Sequence, residues 1–242
     1  MYIGVDLVKP IFEIGLKGYI YGDEAVEFAV QADRVSHEHG VTIILNPQCV
    51  DIFRISDATE HLFVFSQHMD AVTIGRGAGG VLPEALKAAG ATGTLLNHAE
   101  CRITLSAIAR TIERADQLGL ATMVCADSVA EVSAVAQLRP NIILAEPPDL
   151  IGSDRSVASE MQGFVKESIE AARRIDPDIT VMCSAGIKTP EDVAQVIQLG
   201  VDATGSSSGI LLAKDPVDQM EAMVTAMAET WRATRPQPRA RQ

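Results

Sequence analysis

Ile142-Ile143-Leu144-Ala145-Glu146-Pro147-Pro148-Asp149-Leu150-Ile151-Gly152-Ser153 is the stretch on which the fold turns. Its first four residues form a short apolar run, the pattern of a strand buried on both faces. A carboxylate, Glu146, ends that run and opens a loop that two prolines stiffen, while Gly152 lets a backbone N–H come close to a ligand. Parallel sheets covered by helices are built from such runs, and their chemistry stands at the carboxyl ends of the strands. The segment reads as a buried strand, a candidate base and a hinged lid.

Working outward, the same kind of run recurs along the chain. Strands are expected at Ile11 to Leu16, Val41 to Leu45, Leu62 to Ser66, Thr92 to Leu96, Ala121 to Cys125, Asn141 to Ala145, Thr180 to Cys183 and Ala203 to Gly205. The last ends in Gly205 and three serines, which are poor strand formers. Between them lie helical patterns, with Asp23 to Glu38 carrying Ala25, Phe28, Ala29 and Ala32 on one stripe. Pro83 to Ala89, Leu105 to Leu118 and Pro190 to Leu199 each lead to a glycine that stops the helix. Eight strands alternating with helices predict an α/β fold, a single (β/α)8 barrel over residues 1–231, and 242 residues suit one such barrel of roughly 250.

Composition supports this and narrows the function. Hydrophobic residues make up 47% of the chain and aromatics 4%, so the core is filled by Val, Ile, Leu and Ala, as parallel sheets require. A net charge of −12 argues against a nucleic-acid partner but not against a small anion, which helix N-termini and backbone N–H groups bind locally. Cys49, Cys101, Cys125 and Cys183 lack C-x-x-C spacing, so neither a zinc site nor a disulfide framework is expected. No run has the length of a membrane span and the first ten residues lack a signal-peptide core, which leads to an expected cytoplasmic location. Residues 232–242, with Arg232, Arg235, Arg239 and Arg241 among prolines, are expected to form a disordered basic tail.

In a closed barrel the carboxyl ends of all strands share one face, so distant residues converge there. Lys17 after the first strand, His98 after the fourth and Glu146 after the sixth would supply a cation, a neutral electrophile and a base. Each alone has an ordinary explanation, as a solvated lysine or a hydrogen-bonded histidine; the argument lies in their shared placement. Ser184-Ala185-Gly186-Ile187 and Ser206-Ser207-Ser208-Gly209 follow strands seven and eight, where barrels hold phosphate, and read either as anion cradles or as plain turns. His37-Glu38-His39 reads as a solvated helix end, because neighbouring helical positions do not face one another. His68 reads as a structural or interface histidine, and the Gly75 to Gly80 run lacks the P-loop pattern.

Four blocks in order resemble the triosephosphate isomerase family, in its compact archaeal-type form: Gln67-His68-Met69-Asp70-Ala71-Val72, Leu82-Pro83-Glu84-Ala85, Gly93 to Glu100, and Glu146 to Gly152. The similarity runs from Lys9-Pro10 to Lys214-Asp215-Pro216. It implies a TIM barrel that interconverts dihydroxyacetone phosphate and glyceraldehyde 3-phosphate, in glycolysis and gluconeogenesis, with no metal or other cofactor and as a homo-oligomer, tetramer or dimer. Position by position it implies Glu146 as base, His98 as neutral imidazole, Lys17 as substrate-facing cation, and Asn97 and Glu100 as supporting residues. It implies that Gly152, Ser153, Gly186, Ser207 and Ser208 bind the phosphate.

The chain departs from that pattern at four places. Gly15 replaces the Asn of Asn-x-Lys, removing a donor near the reacting oxygens that is worth roughly a hundredfold to a thousandfold in rate. Ala99 replaces a Ser, Asp154 a second lid glycine, and Ser184 a glycine. Gly15 also removes volume, so a second reading is an isomerase of a longer, tetrulose phosphate; a third is a non-catalytic sugar-phosphate binding barrel.

Overall fold

The computed structural model describes residues 4, 6–153 and 155–235. Eight parallel strands close into a barrel in sequence order: β1 (Ile11–Gly15), β2 (Thr42–Asn46), β3 (Phe63–Ser66), β4 (Gly93–Leu96), β5 (Ala121–Ala126), β6 (Ile142–Ala145), β7 (Thr180–Cys183) and β8 (Ala203–Gly205). Around them run α1 (Gly22–His39), α2 (Ile52–Ala58), α3 (Pro83–Ala88), α4 (Leu105–Leu118), α5 (Val129–Ala136), α6 (Val157–Glu160), α7 (Gln162–Ile175), α8 (Pro190–Gln198), α9 (Ser208–Leu211) and α10 (Pro216–Thr234).

Two cores follow from the period-2 alternation of the strands. Inside the barrel, Ile11, Ile44, Phe65, Leu95, Met123, Leu144 and Met182 pack against one another; outside, the opposite parity, such as Phe12, Ile43, Val124, Ile143 and Val181, meets the helices. Helix starts are set by side chains that accept from otherwise free N–H groups: Thr104 from Ala107, Ser128 from Glu131, and Asp215 from Val217 and Asp218. Thr189 and Asp192 cap each other reciprocally at the start of α8.

The expected strands agree with those observed to within a residue at each end. The short β8 is held by side chains that make good its few ladder bonds: Thr204 Oγ1 donates to the Cys183 carbonyl at 2.8 Å and Ser206 Oγ to that of Ile187 at 2.6 Å. At the amino ends of the strands, buried Asp202 accepts both from Arg173 Nη2 at 3.1 Å and from the Val181 N–H at 3.1 Å, with Lys9 Nζ 3.2 Å away.

One boundary is corrected. Helix α10 continues through Thr234, and Arg235 stacks on Trp231 and donates to the Gly200 and Val201 carbonyls. Residues 232–235 therefore belong to the folded body, because an arginine found carbonyls at the open end of β8. The rest of the expected tail, 236–242, lies outside the described residues, as does Asp154.

Candidate active site

The inward parity of each strand, extended past its carboxyl end, brings the functional groups to one rim. Glu13 and Gly15 continue from Ile11, Asn46 from Ile44, Gln67 from Phe65, Glu146 from Leu144, Ser184 from Met182 and Ser207 from Ala203. They line a cavity of about 240 Å³ together with Lys17, His98 and Glu100. Lys17 sits in a left-handed turn, φ 47°, and its carbonyl is fixed by Gln48 Nε2 at 2.6 Å and Gln67 Nε2 at 2.9 Å. Lys17, His98 and Glu146 are brought together as the sequence suggested.

Lys17 Nζ donates to Glu100 Oε1 at 2.8 Å, and His98 Nε2 lies 3.6 Å from Glu146 Oε2. The backbone N–H of Glu100 donates to His98 Nδ1 at 3.2 Å, which leaves Nδ1 as an acceptor and puts the ring proton on Nε2, facing Glu146. Burial, reinforced by the Lys17 charge, lowers the imidazole pKa, so the ring is neutral near pH 7. Burial raises the Glu146 carboxyl to about 7 against the opposing pull of Lys17. Burial also works to lower the Lys17 pKa, but its bond to Glu100 and the charges of Glu100 and Glu146 carry it above the usual value. That bond in turn holds Glu100 low.

Asn97 points elsewhere, as a brace. From a left-handed backbone, φ 60°, its Nδ2 donates to the Cys125 carbonyl at 3.0 Å and its Oδ1 accepts from the Ile103 N–H at 3.2 Å, which fixes the loop carrying His98 and Glu100. Arg102, ion-paired with Asp127, donates to the Asn97 carbonyl at 3.0 Å and ties that loop to the end of β5.

On the other side of the cavity the turns after β7 and β8 meet the lid. The N–H groups of Gly152, Gly186, Ser207 and Ser208 have no hydrogen-bond acceptor among the described residues, and all four residues line the cavity. Unpaired N–H groups converging on one cavity suit an anion. Gly186, φ 68°, lies against the lid base: a Cβ there would stand 1.9 Å from the Arg155 carbonyl oxygen. The Val157 N–H donates to the Ala185 carbonyl at 3.1 Å, so the far end of the lid is fastened to this turn.

Ser153 is a correction. It does not line the cavity; its N–H and hydroxyl both donate to the Leu150 carbonyl, and its Oγ accepts from the Arg155 N–H, so it staples the lid to itself. The volume expected from Gly15 is also absent. A Cβ at Gly15 would meet Ser207 Oγ at 2.7 Å and Glu13 Oε1 at 3.0 Å, so two side chains already occupy that space.

Glu13, Asn46, Gln67 and Lys188 were not singled out as site residues, although strand parity from Ile11 and Ile44 aims Glu13 and Asn46 inward. Glu13 is only 7% exposed. Burial first, then the charge of Glu146, pushes its carboxyl up to about 8. Lys188 begins the α8 cap through its N–H to Asp192 Oδ2 at 3.1 Å, and it also lines the cavity.

Outside the cavity the other histidines are structural. His37 stacks on His61 with ring centres 4.4 Å apart, and His68 Nε2 lies 3.2 Å from Asp70 Oδ1. Glu38, His39 and Glu221 approach as metal ligands would, but Arg34 already bridges the two carboxylates at 2.7 and 2.8 Å.

With this geometry in hand, comparison with known proteins is decisive: the triosephosphate isomerase family model matches residues 10–227. The chain belongs to the triosephosphate isomerase family. It is 40% identical over 209 residues to the triosephosphate isomerase of Methanobacterium bryantii, covering 86% of this chain and 92% of that protein. For those of Methanosarcina mazei and Methanothermus fervidus the identities are 39% over 218 residues and 35% over 221, covering 89% and 90% of this chain and 98% and 99% of theirs. Within the triosephosphate isomerase family, then, this member carries a buried acid and an amide beneath the rim where its first strand ends in glycine.

Proposed function

We propose that this chain interconverts dihydroxyacetone phosphate and glyceraldehyde 3-phosphate through an enediolate, at the cavity lined by Lys17, His98 and Glu146. The observation that carries the reading is one arrangement. A buried carboxylate lies beside a neutral imidazole whose Nε2 proton faces it, opposite a group of unpaired N–H donors. Glu146 takes the proton from one carbon of the substrate and returns it to the next. His98 Nε2–H donates to the oxygens as charge develops on them, and Lys17, held by Glu100, supplies the positive field that favours the enediolate. The N–H groups of Gly152, Gly186, Ser207 and Ser208 hold the phosphate. The lid, whose Ile151 and Gly152 border the cavity, excludes water that would let the intermediate lose its phosphate.

The filled space at Gly15 removes the physical motive for a longer substrate, and a non-catalytic binder has no use for a carboxylate poised at Glu146. No described helix is long and apolar enough to cross a membrane. A cytoplasmic location is supported by the four unpaired cysteines. Self-association is supported by exposed Val50 just after β2, Phe53 on α2 and Ile74 on the loop after β3.

The test is a purified-protein assay on dihydroxyacetone phosphate beside a panel of tetrulose phosphates, with Glu146→Gln in parallel. Turnover of the triose phosphate that vanishes in Glu146→Gln, while phosphate still inhibits the wild type, is the expected result. Equally slow turnover of all substrates, or a Glu146→Gln variant as fast as wild type, would overturn it.

A further inference from the structure

Three buried polar groups border the cavity without a hydrogen-bond partner among the described residues. They are both amide atoms of Asn46, the Ser184 hydroxyl and the Glu13 carboxyl. Asn46 is the most demanding of them: the residue is 1% exposed, and neither its Nδ2 nor its Oδ1 is paired. A buried polar group left so costs about 1–3 kcal/mol, and an aliphatic side chain of similar size would fill the position without that cost. The amide is therefore not explained by packing.

Its place in the sheet supplies an explanation. Gly15 and Asn46 are register partners on β1 and β2, so their side-chain positions lie next to each other on the inner face. Position 15 carries no side chain, and Ser207 Oγ and Glu13 Oε1 stand 2.7 and 3.0 Å from where its Cβ would be. The first position that can present an amide to this part of the floor is one strand over. A carboxamide offers one donor and one acceptor side by side, which matches the adjacent carbonyl and hydroxyl oxygens of a hydroxyketone or hydroxyaldehyde and of the enediol between them.

We propose that Asn46 is a further substrate-contacting residue, whose carboxamide makes from β2 the hydrogen bonds to the reacting oxygens that position 15 on β1 cannot make. The inference rests on the isomerase reading above. Glu13, two residues before position 15 on the same strand, is pushed by burial toward its protonated form, a donor at the same floor.

Asn46→Ala and Asn46→Asp, which retains shape but loses the donor, test the assignment through kcat/KM on triose phosphates, inhibition by inorganic phosphate, and thermal melting. Both variants should lose about a hundredfold or more in kcat/KM. Phosphate inhibition should be unchanged, and the Ala variant should melt no lower than wild type, because it abandons no partner. Variants within threefold of wild type in kcat/KM overturn the proposal. So does a loss matched by weaker phosphate inhibition and a lower melting temperature, which marks a structural role. A wild-type chain that turns over no triose phosphate defeats the reading of the site and the inference with it; an active wild type indifferent to Asn46 defeats the inference alone.

Discussion

Replacing Glu13 with Gln should change how stability depends on pH, by an amount that its position fixes. In the unfolded chain this carboxyl titrates near 4.5, whereas in the barrel burial and the neighbouring Glu146 raise it to about 8. Between those values the folded state keeps a proton that the unfolded state has released. Stability therefore falls as pH rises from about 4.5, and levels off above about 8. One pH unit within that window is worth up to about 1.4 kcal/mol, so the full descent is on the order of 5 kcal/mol. Gln keeps the shape and cannot ionise. Glu146 contributes its own, narrower descent, from 4.5 to about 7, to both proteins and cancels in the comparison. Urea unfolding of wild type and Glu13→Gln should thus agree within about 1 kcal/mol at pH 5 and diverge at pH 9, with the variant the more stable by several kcal/mol. For a domain of this length that difference corresponds to roughly 10 °C in melting temperature. Parallel curves across this range would show that Glu13 is ionised without penalty, and the account of the cavity floor would fail.

Three more outcomes follow from the geometry. kcat/KM should fall about tenfold per unit as pH drops below about 7, because Glu146 must be ionised to take a proton; a profile flat down to pH 5 would contradict its burial. Gly186→Ala should weaken inhibition by inorganic phosphate tenfold or more, since its Cβ would displace the Arg155 carbonyl and its backbone would be strained; unchanged inhibition would place the anion elsewhere. Asp202→Asn should destabilise the protein by about 3 kcal/mol in denaturant unfolding, because it leaves Arg173 and Lys9 without their shared buried carboxylate, and a loss under 1 kcal/mol would show that those cations find other partners.

The barrel was legible because each strand is an apolar run closed by a turn signal, and a buried parallel strand has no other requirement. Glu146 was legible for the same reason: a carboxylate directly after Ile142 to Ala145 has no apolar role. Glu13 and Asn46 were not, because each sits inside or at the end of an apolar run, where one polar residue looks like a tolerated exception. Their meaning depends on which way they face and on what stands across the sheet, and both emerge only when β1 is set against β2 and β8. Gly15 misled for a related reason. A missing side chain reads as space, but the space at 15 belongs to Glu13 and Ser207, one from two residues earlier and the other from nearly two hundred later. Ser153 misled because a hydroxyl beside a lid glycine satisfies its own loop as readily as a ligand. Arg235 escaped notice because its carbonyl partners, at Gly200 and Val201, carry no signature in the sequence.

The seam between β1 and β8 joins Ile11 to Ala203, Phe12 to Thr204 and Glu13 to Gly205. During synthesis, one edge of the first strand must stay open until the ribosome has delivered residue 205, after every other strand has been made. Glu13 lies on that edge, so the nascent chain carries its acid in water, ionised at neutral pH, until the ring shuts. Closure is then the moment at which this side chain loses its solvent and draws a proton from the surrounding solution.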